Sequence, residues 1–213
     1  MGSRALPFIY LSLIVFAFLI GVVRFNKLDS ATKILVSLFG LTAFSEGLAF
    51  FFARHHENNM PIYHFYSPIE LLMVSLYFNF SIDTFKKNKI GWVIGLIGII
   101  VAIANAKFLQ PLYEYNSNFL LFEGFCILSM SLFAFYRILE NEEVIIFQTP
   151  HFWICCILLF FWGITYANWS LYTVLIAKKL DVIPYIGLIL LYINIMTYLG
   201  FSIVLVLLPK RKL

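Results

Sequence analysis

Seven long apolar segments, separated by short polar ones, constrain this chain more than any other feature of its sequence. A helix needs about 20 mostly apolar residues to cross the hydrocarbon core of a bilayer, with a usual range of about 17–25. Each segment is that long, and no connection between them is long enough to hold another domain. We therefore predict an all-α fold, a single domain over residues 1–213 that forms a bundle of seven transmembrane helices. The predicted spans are 7–23, 33–52, 62–80, 90–106, 118–136, 152–177 and 183–208.

The composition excludes a soluble domain of this size. Hydrophobic residues make up 62% of the chain and charged residues 12%, whereas soluble domains have about 45–50% and about 25%. A bilayer is therefore the expected solvent. The net charge of +4 is spread along the chain and forms no basic stripe, so we predict no nucleic-acid partner.

Basic residues on the two sides of the membrane predict the orientation, because cytoplasmic loops are enriched in Lys and Arg. If the N-terminus is outside, the cytoplasmic side holds Arg24, Lys27, Lys33, Lys86, Lys87, Lys89, Arg137, Lys210, Arg211 and Lys212. The outer side then holds fewer, namely Arg4, Arg54, Lys107, Lys178 and Lys179. This imbalance favours an outside N-terminus and a cytoplasmic C-terminus, in a plasma membrane or a bacterial inner membrane.

Three glutamates lie inside predicted spans, where an ionisable group is costly and usually faces the bundle interior. With a rise of about 1.5 Å per residue, Glu46, Glu70 and Glu123 lie about 9, 12 and 8 Å from the outer ends of their helices. Their similar depth predicts one outward-facing polar pocket, with Glu70 sharing a cavity with Glu46 or Glu123. The alternative is that each carboxyl only joins neighbouring helices by hydrogen bonds.

Further polar side chains are expected at the same depth. Tyr63, Tyr66 and Glu70 recur at helical spacing and share one face of the third span. His64 lies at the mouth of that span, and Asn116 and Asn168 are placed to reach the pocket from later helices. The cytoplasmic half has no carboxylate well inside a span, so we expect a drier floor below the pocket.

These features predict a ligand-binding or sensing module that takes a small molecule or a lipid headgroup and acts with a partner protein. A transporter or channel coupled to protons or cations is an alternative, because Glu46-Gly47 and Glu123-Gly124 hint at an inverted repeat. A metal-dependent lipid hydrolase is a third, with a divalent metal held by residues among His55, His56 and His64. Gly91 and Gly95 form a GxxxG motif, which is typical of close helix packing or of a homodimer.

The predicted topology resembles that of the microbial rhodopsins. A retinal Schiff base requires a lysine in the seventh helix, and residues 183–208 contain none, so no retinal is expected. The ground plan is also similar to that of the alkaline-ceramidase-like membrane hydrolases. No Asp lies within a predicted span to match the His, Asp and Ser set of that family, so a non-enzymatic role is favoured.

Overall fold

The computed structural model describes residues 5–140, 145–177 and 183–207. Within these ranges the chain is helical and contains no strand. Its helices are α1 (Leu6–Arg24), α2 (Ser30–Arg54), α3 (Met60–Ser81), α4 (Asp83–Asn88), α5 (Ile90–Phe108), α6 (Ser117–Glu140), α7 (Pro150–Ala177) and α8 (Ile183–Leu207).

Six of these helices are long and apolar enough to cross a membrane, namely α1, α2, α5, α6, α7 and α8. The chain is therefore an all-helical membrane bundle, as predicted. The third predicted span is also a helix, α3, but it is not among the six, because Glu70, His64 and Asn79 make it more polar. The observed helix ends lie within a few residues of the predicted ones, and Leu208 falls outside the described residues. The short helix α4 occupies what the sequence indicated was a simple loop.

Local sequence explains where two of these helices begin. Asp29 precedes α2 and accepts a hydrogen bond of 2.9 Å from the backbone N–H of Thr32, as an N-cap residue does. Lys89 lies between α4 and α5 with a φ of 53°. This left-handed conformation reverses the chain within one residue, so that α5 can return along α3.

Helix α3 lies at the centre of the bundle, where it packs against α2, α5 and α6. The other neighbours close a ring, in which α1 contacts α2 and α8 while α7 contacts α6 and α8. Helix α5 lies outside this ring, and Leu96, Ile100 and Ile103 on its outer face are exposed. Exposed apolar side chains of this kind are expected where a helix meets lipid.

The glycines of the GxxxG motif in α5 allow close packing against another helix of the same chain. A Cβ at Gly91 would lie 2.1 Å from the Ser75 carbonyl oxygen, and one at Gly95 would lie 2.4 Å from Leu72. Both glycines are buried, so α5 contacts α3 with almost no space between the backbones. Of the two explanations for the GxxxG motif, the structure supports close packing within the chain, and a homodimer contact through Gly91 and Gly95 has no exposed glycine to use.

Contacts between helix termini define two ends of the bundle. At one, Arg24 of α1 donates hydrogen bonds to the Leu205 and Val206 carbonyls of α8. At the other, Asn58 donates to the Tyr113 carbonyl. We call the first the basic end and the second the cavity end. Among the described residues, the basic end carries Arg24, Lys27, Lys33, Lys86, Lys87, Lys89 and Arg137, and the cavity end carries Arg54 and Lys107. The remaining basic residues of the sequence, Arg4, Lys178, Lys179, Lys210, Arg211 and Lys212, lie outside the described ranges.

Candidate functional site

A cavity of about 550 Å³ opens at the cavity end and is lined by all the long helices except α5. Two carboxylates line it, Glu46 from α2 and Glu70 from α3. Their depth along two different helices predicted a common pocket, and the two side chains do line the same volume. A cavity of this size lies within the usual range of small-molecule sites, about 300–1,000 Å³.

Tyrosines line the cavity beside the two carboxylates. The Tyr66 hydroxyl shares a hydrogen bond of 2.7 Å with the Thr42 hydroxyl, which joins α3 to α2. Tyr66 also lies one turn before Glu70 on α3, and both residues line the cavity. Tyr10 of the neighbouring helix α1 lines the cavity together with Glu46. Each carboxylate therefore has a phenol beside it in the cavity lining.

Aromatic side chains form most of the remaining lining near the carboxylates. The aromatic residues that line the cavity are Tyr10, Tyr63, Tyr66, Tyr115, Phe161, Trp162, Trp169 and Tyr198. Rings of this kind present a negative face that attracts cations, with Trp the most effective. Carboxylates among aromatic faces provide the chemistry that binds an organic cation.

Glu123 differs from the other two glutamates. It is completely buried and does not line the cavity. It interacts electrostatically with Glu70, so it lies behind the cavity wall. Neither carboxyl oxygen has a hydrogen-bond partner among the described residues. The pocket expected from three carboxylates therefore has two exposed to the cavity and a third held behind them.

Among the other predicted site residues, Tyr63, Tyr66 and Asn116 line the cavity. The Oδ1 atom of Asn116 already accepts a hydrogen bond of 2.8 Å from Asn105 of α5. His64 is buried and its Nε2 lies 3.0 Å from the Glu114 carbonyl, away from the cavity lining. Asn168 donates to the Ile164 carbonyl of its own helix and does not line the cavity.

The candidate metal ligands do not come together. His55 is exposed and its Nδ1 lies 2.9 Å from the Phe51 carbonyl, whereas His64 contacts Glu114. His56 is also exposed and has a positive φ of 58°. Among the described residues, no three His, Cys, Asp or Glu side chains are grouped closely enough to hold a metal ion.

The basic end contains a polar cluster that the sequence did not reveal. Tyr77 of α3 shares a hydrogen bond of 2.9 Å with Nδ1 of His151, and Nε2 of His151 lies 3.6 Å from a carboxylate oxygen of Asp29. Asp29 in turn accepts from the Thr32 N–H and hydroxyl. Burial raises the pKa of Asp29, but the hydrogen bonds from Thr32 and the nearby His151 ring outweigh this effect and hold the pKa below its ordinary value. We call these four residues the basic-end cluster.

A second cavity, of about 430 Å³, opens beside this cluster between α3, α4, α6 and α7. Its lining includes Asp83, Arg137, Thr149 and His151. The expectation of a dry floor is therefore correct only for the middle of the bundle. The layer there is mostly apolar, and it contains the buried side chains Leu71, Val74, Ile127, Met130 and Leu158 beside the buried serines Ser75 and Ser131.

Several lining residues were not predicted, notably Tyr10, Tyr198, Trp162 and Trp169. They lie on α1, α7 and α8, which are apolar on all faces, so helical periodicity does not distinguish the side that faces the bundle. The only signal was their polar edge, an O–H or indole N–H that needs a partner when buried.

No family model, curated protein or solved structure matches this chain. A functional interpretation therefore depends on the geometry and chemistry of the two carboxylates and the rings around them.

Proposed function

We propose that the chain is a membrane-embedded binding module whose cavity takes a small organic cation from the outer side of the membrane. The observation that carries this proposal is the pair Glu46 and Glu70, which line one aromatic cavity of about 550 Å³. A cation there gains attraction from both carboxylates and from the faces of the surrounding rings.

The proposal includes seven spans, with α3 as the third. Arg24 at the end of α1 contacts carbonyls at the end of α8, so the two helices run in the same direction. Successive crossings alternate in direction, and two parallel helices at the start and end of the series require an odd number of crossings. Counting α3 with the six apolar helices gives that odd number.

The charge distribution supports an outside N-terminus, because the basic end carries most of the described Lys and Arg residues. Single cysteines at His56 and at Asn88, in a background lacking Cys126, Cys155 and Cys156, test this orientation. In intact cells an impermeant maleimide is expected to label the cysteine at His56 and not the one at Asn88. Labelling of both positions, or of Asn88 alone, contradicts the proposed topology.

Binding would act through helix packing, since the cavity is lined by six helices. A ligand that prefers one arrangement of these helices shifts the population toward it. The described connections are short, so a partner protein would have to detect the change. We propose this partner without assigning its contact surface.

Choline and its neutral carbon isostere, 3,3-dimethylbutan-1-ol, test the proposal because they differ in charge and hardly in shape. In lipid nanodiscs we expect choline to bind the wild type at least about tenfold more tightly than the isostere. The Glu46→Gln/Glu70→Gln double variant should lose this preference and remain folded. Glu57→Gln is the matched control, because Glu57 is exposed in the connection before α3 and does not line the cavity. Equal affinities for both probes, or an unchanged preference in the double variant, contradict cation binding.

Proton-coupled transport is the second candidate. The specific support is Glu123 behind the cavity, together with the basic-end cluster and its own cavity on the other side of the apolar layer. Intramembrane carboxylates and histidines of this kind commonly form proton relays. Proteoliposomes with an internal pH dye test it: choline should drive a pH change that is abolished by Glu123→Gln. Binding of choline without any pH change would leave the sensing module as the function.

A further inference from the structure

A groove between α1 and α2 joins the cavity from the side. This α1–α2 groove has a volume of about 200 Å³ and an apolar lining of Phe8, Leu11, Ala49, Phe50 and Ala53. It also shares five lining residues with the main cavity: Pro7, Tyr10, Glu46, Asn59 and Tyr63. Glu46 therefore faces both volumes, and an apolar path leads from its carboxylate toward the outside of the bundle.

The groove lies within two candidate membrane spans, so it opens toward acyl chains. Phe8 on its wall is 46% exposed. Glu46 lies about 12 Å along α2 from Arg54, at about 1.5 Å per residue. Ala49 and Phe50 lie between these two levels, so the apolar walls of the groove follow α2 from the carboxylate toward the outer helix end.

Arg54 marks the outer limit of the groove. Its guanidinium lies 5.2 Å from the centroid of the Phe8 ring and 4.8 Å from that of Phe50. Both rings belong to the groove lining, so the cation covers them on the side of the helix ends. The carboxylate at the inner end of the groove and the apolar walls leading from it match a ligand with a cationic head and a hydrocarbon tail.

We infer that the ligand is a cationic amphiphile, a long-chain amine or quaternary ammonium. Its head would lie at Glu46 and its tail would leave through the α1–α2 groove into the bilayer. The inference rests on the proposed cation binding and names the class of that ligand. A freely water-soluble cation would need only the open mouth of the cavity, whereas an alkyl chain attached to the head requires an apolar exit at that depth. An anionic amphiphile would bring its charge against Glu46.

Choline, decyltrimethylammonium and 1-decanol separate the contributions of head and tail. In nanodiscs, decyltrimethylammonium is expected to bind the wild type at least about tenfold more tightly than choline. Ala53→Trp fills the exposed rim of the groove, and it should remove this gain while choline affinity stays within about twofold of the wild-type value. Ala104→Trp is the matched control, since Ala104 is exposed on α5, which lines neither volume.

The outcomes distinguish this inference from the proposed function. If choline binds but Ala53→Trp retains the full tail-dependent gain, the tail does not use the groove, and the inference fails while cation binding stands. If decanol binds as tightly as decyltrimethylammonium, the groove takes any alkyl chain without recognition of the head, and the inference also fails. If choline does not bind the folded wild type, the proposed function itself fails.

Discussion

The carboxylates at the two ends of the bundle have different surroundings. At the basic end, Tyr77, His151 and Asp29 are joined in a connected series of contacts, and Gly91 lets α5 lie directly against α3. At the cavity end, Glu46 and Glu70 face an open volume, and Glu123 behind them has no hydrogen-bond partner among the described residues. Paired polar groups stabilise a fold, whereas polar groups left without partners in a membrane bundle require a functional explanation. The carboxylates that face the cavity therefore support the binding that we propose at that end.

The largest expected effect tests the close packing at the basic end. In Gly91→Leu the new Cβ would lie 2.1 Å from the Ser75 carbonyl oxygen, a backbone atom that cannot rotate away. We expect a loss of about 3 kcal/mol in the free energy of unfolding, the upper end of the usual cost of overpacking. Gly47→Leu is the matched control, because a Cβ there has no described atom within 4 Å. Equal unfolding transitions of both variants in bicelles would show that this contact does not fix α5.

The next largest expected effect is an increase in the free energy of unfolding, at the cavity end. Replacing Glu123 by Met removes a buried carboxyl that lacks a partner and keeps a side chain of similar length. We expect the free energy of unfolding to rise by about 1–3 kcal/mol. Glu123→Gln, which keeps polar atoms at this position, should gain much less. A destabilised Glu123→Met variant would mean that the carboxyl is as well paired as the groups at the basic end.

Two tyrosine hydroxyls allow a direct comparison of the ends. Tyr77→Phe should lower the free energy of unfolding by about 1–2 kcal/mol, because it leaves Nδ1 of His151 without its partner. Tyr66→Phe removes a similar hydrogen bond, the one to Thr42, but beside the open cavity, where water can replace it. A smaller loss is therefore expected for Tyr66→Phe in the same unfolding measurement. Equal losses would remove the distinction between the two ends.

The smallest expected effect is the pH dependence due to Asp29. Because the folded-state pKa lies below the ordinary value of 3.8, the charged carboxylate stabilises the fold above about pH 4, and this contribution is lost as pH falls through the folded-state pKa. Asp29→Asn keeps an N-cap residue and removes the charge. The unfolding midpoint of the wild type should thus exceed that of Asp29→Asn near neutral pH, and the difference should shrink in acid. A pH-independent difference would show that the charge of Asp29 has no role.

The apolar segments alone determined the helices, because a chain this poor in charge has no other way to satisfy its backbone in lipid. Depth along each helix likewise predicted that Glu46 and Glu70 meet, since a lipid-facing carboxylate is too costly. What the sequence left open is the orientation of helices that are apolar on every face. The aromatic lining from α1, α7 and α8 is therefore visible only in the packed bundle.

Other contacts depend on the tertiary structure and could not be predicted from residue pattern and spacing. The similar depth of the three glutamates predicted that Glu123 would line the same pocket. The rotation of α6 about its axis instead places the Glu123 side chain behind the cavity wall. Asp29 and His151 lie at helix ends far apart in the chain, and only the assembled bundle brings them within 3.6 Å. The GxxxG motif predicts a close contact without naming its partner, because the small surface of glycine fits any neighbouring helix. A sequence specifies which groups must be buried, and the packing of the helices determines which of them meet.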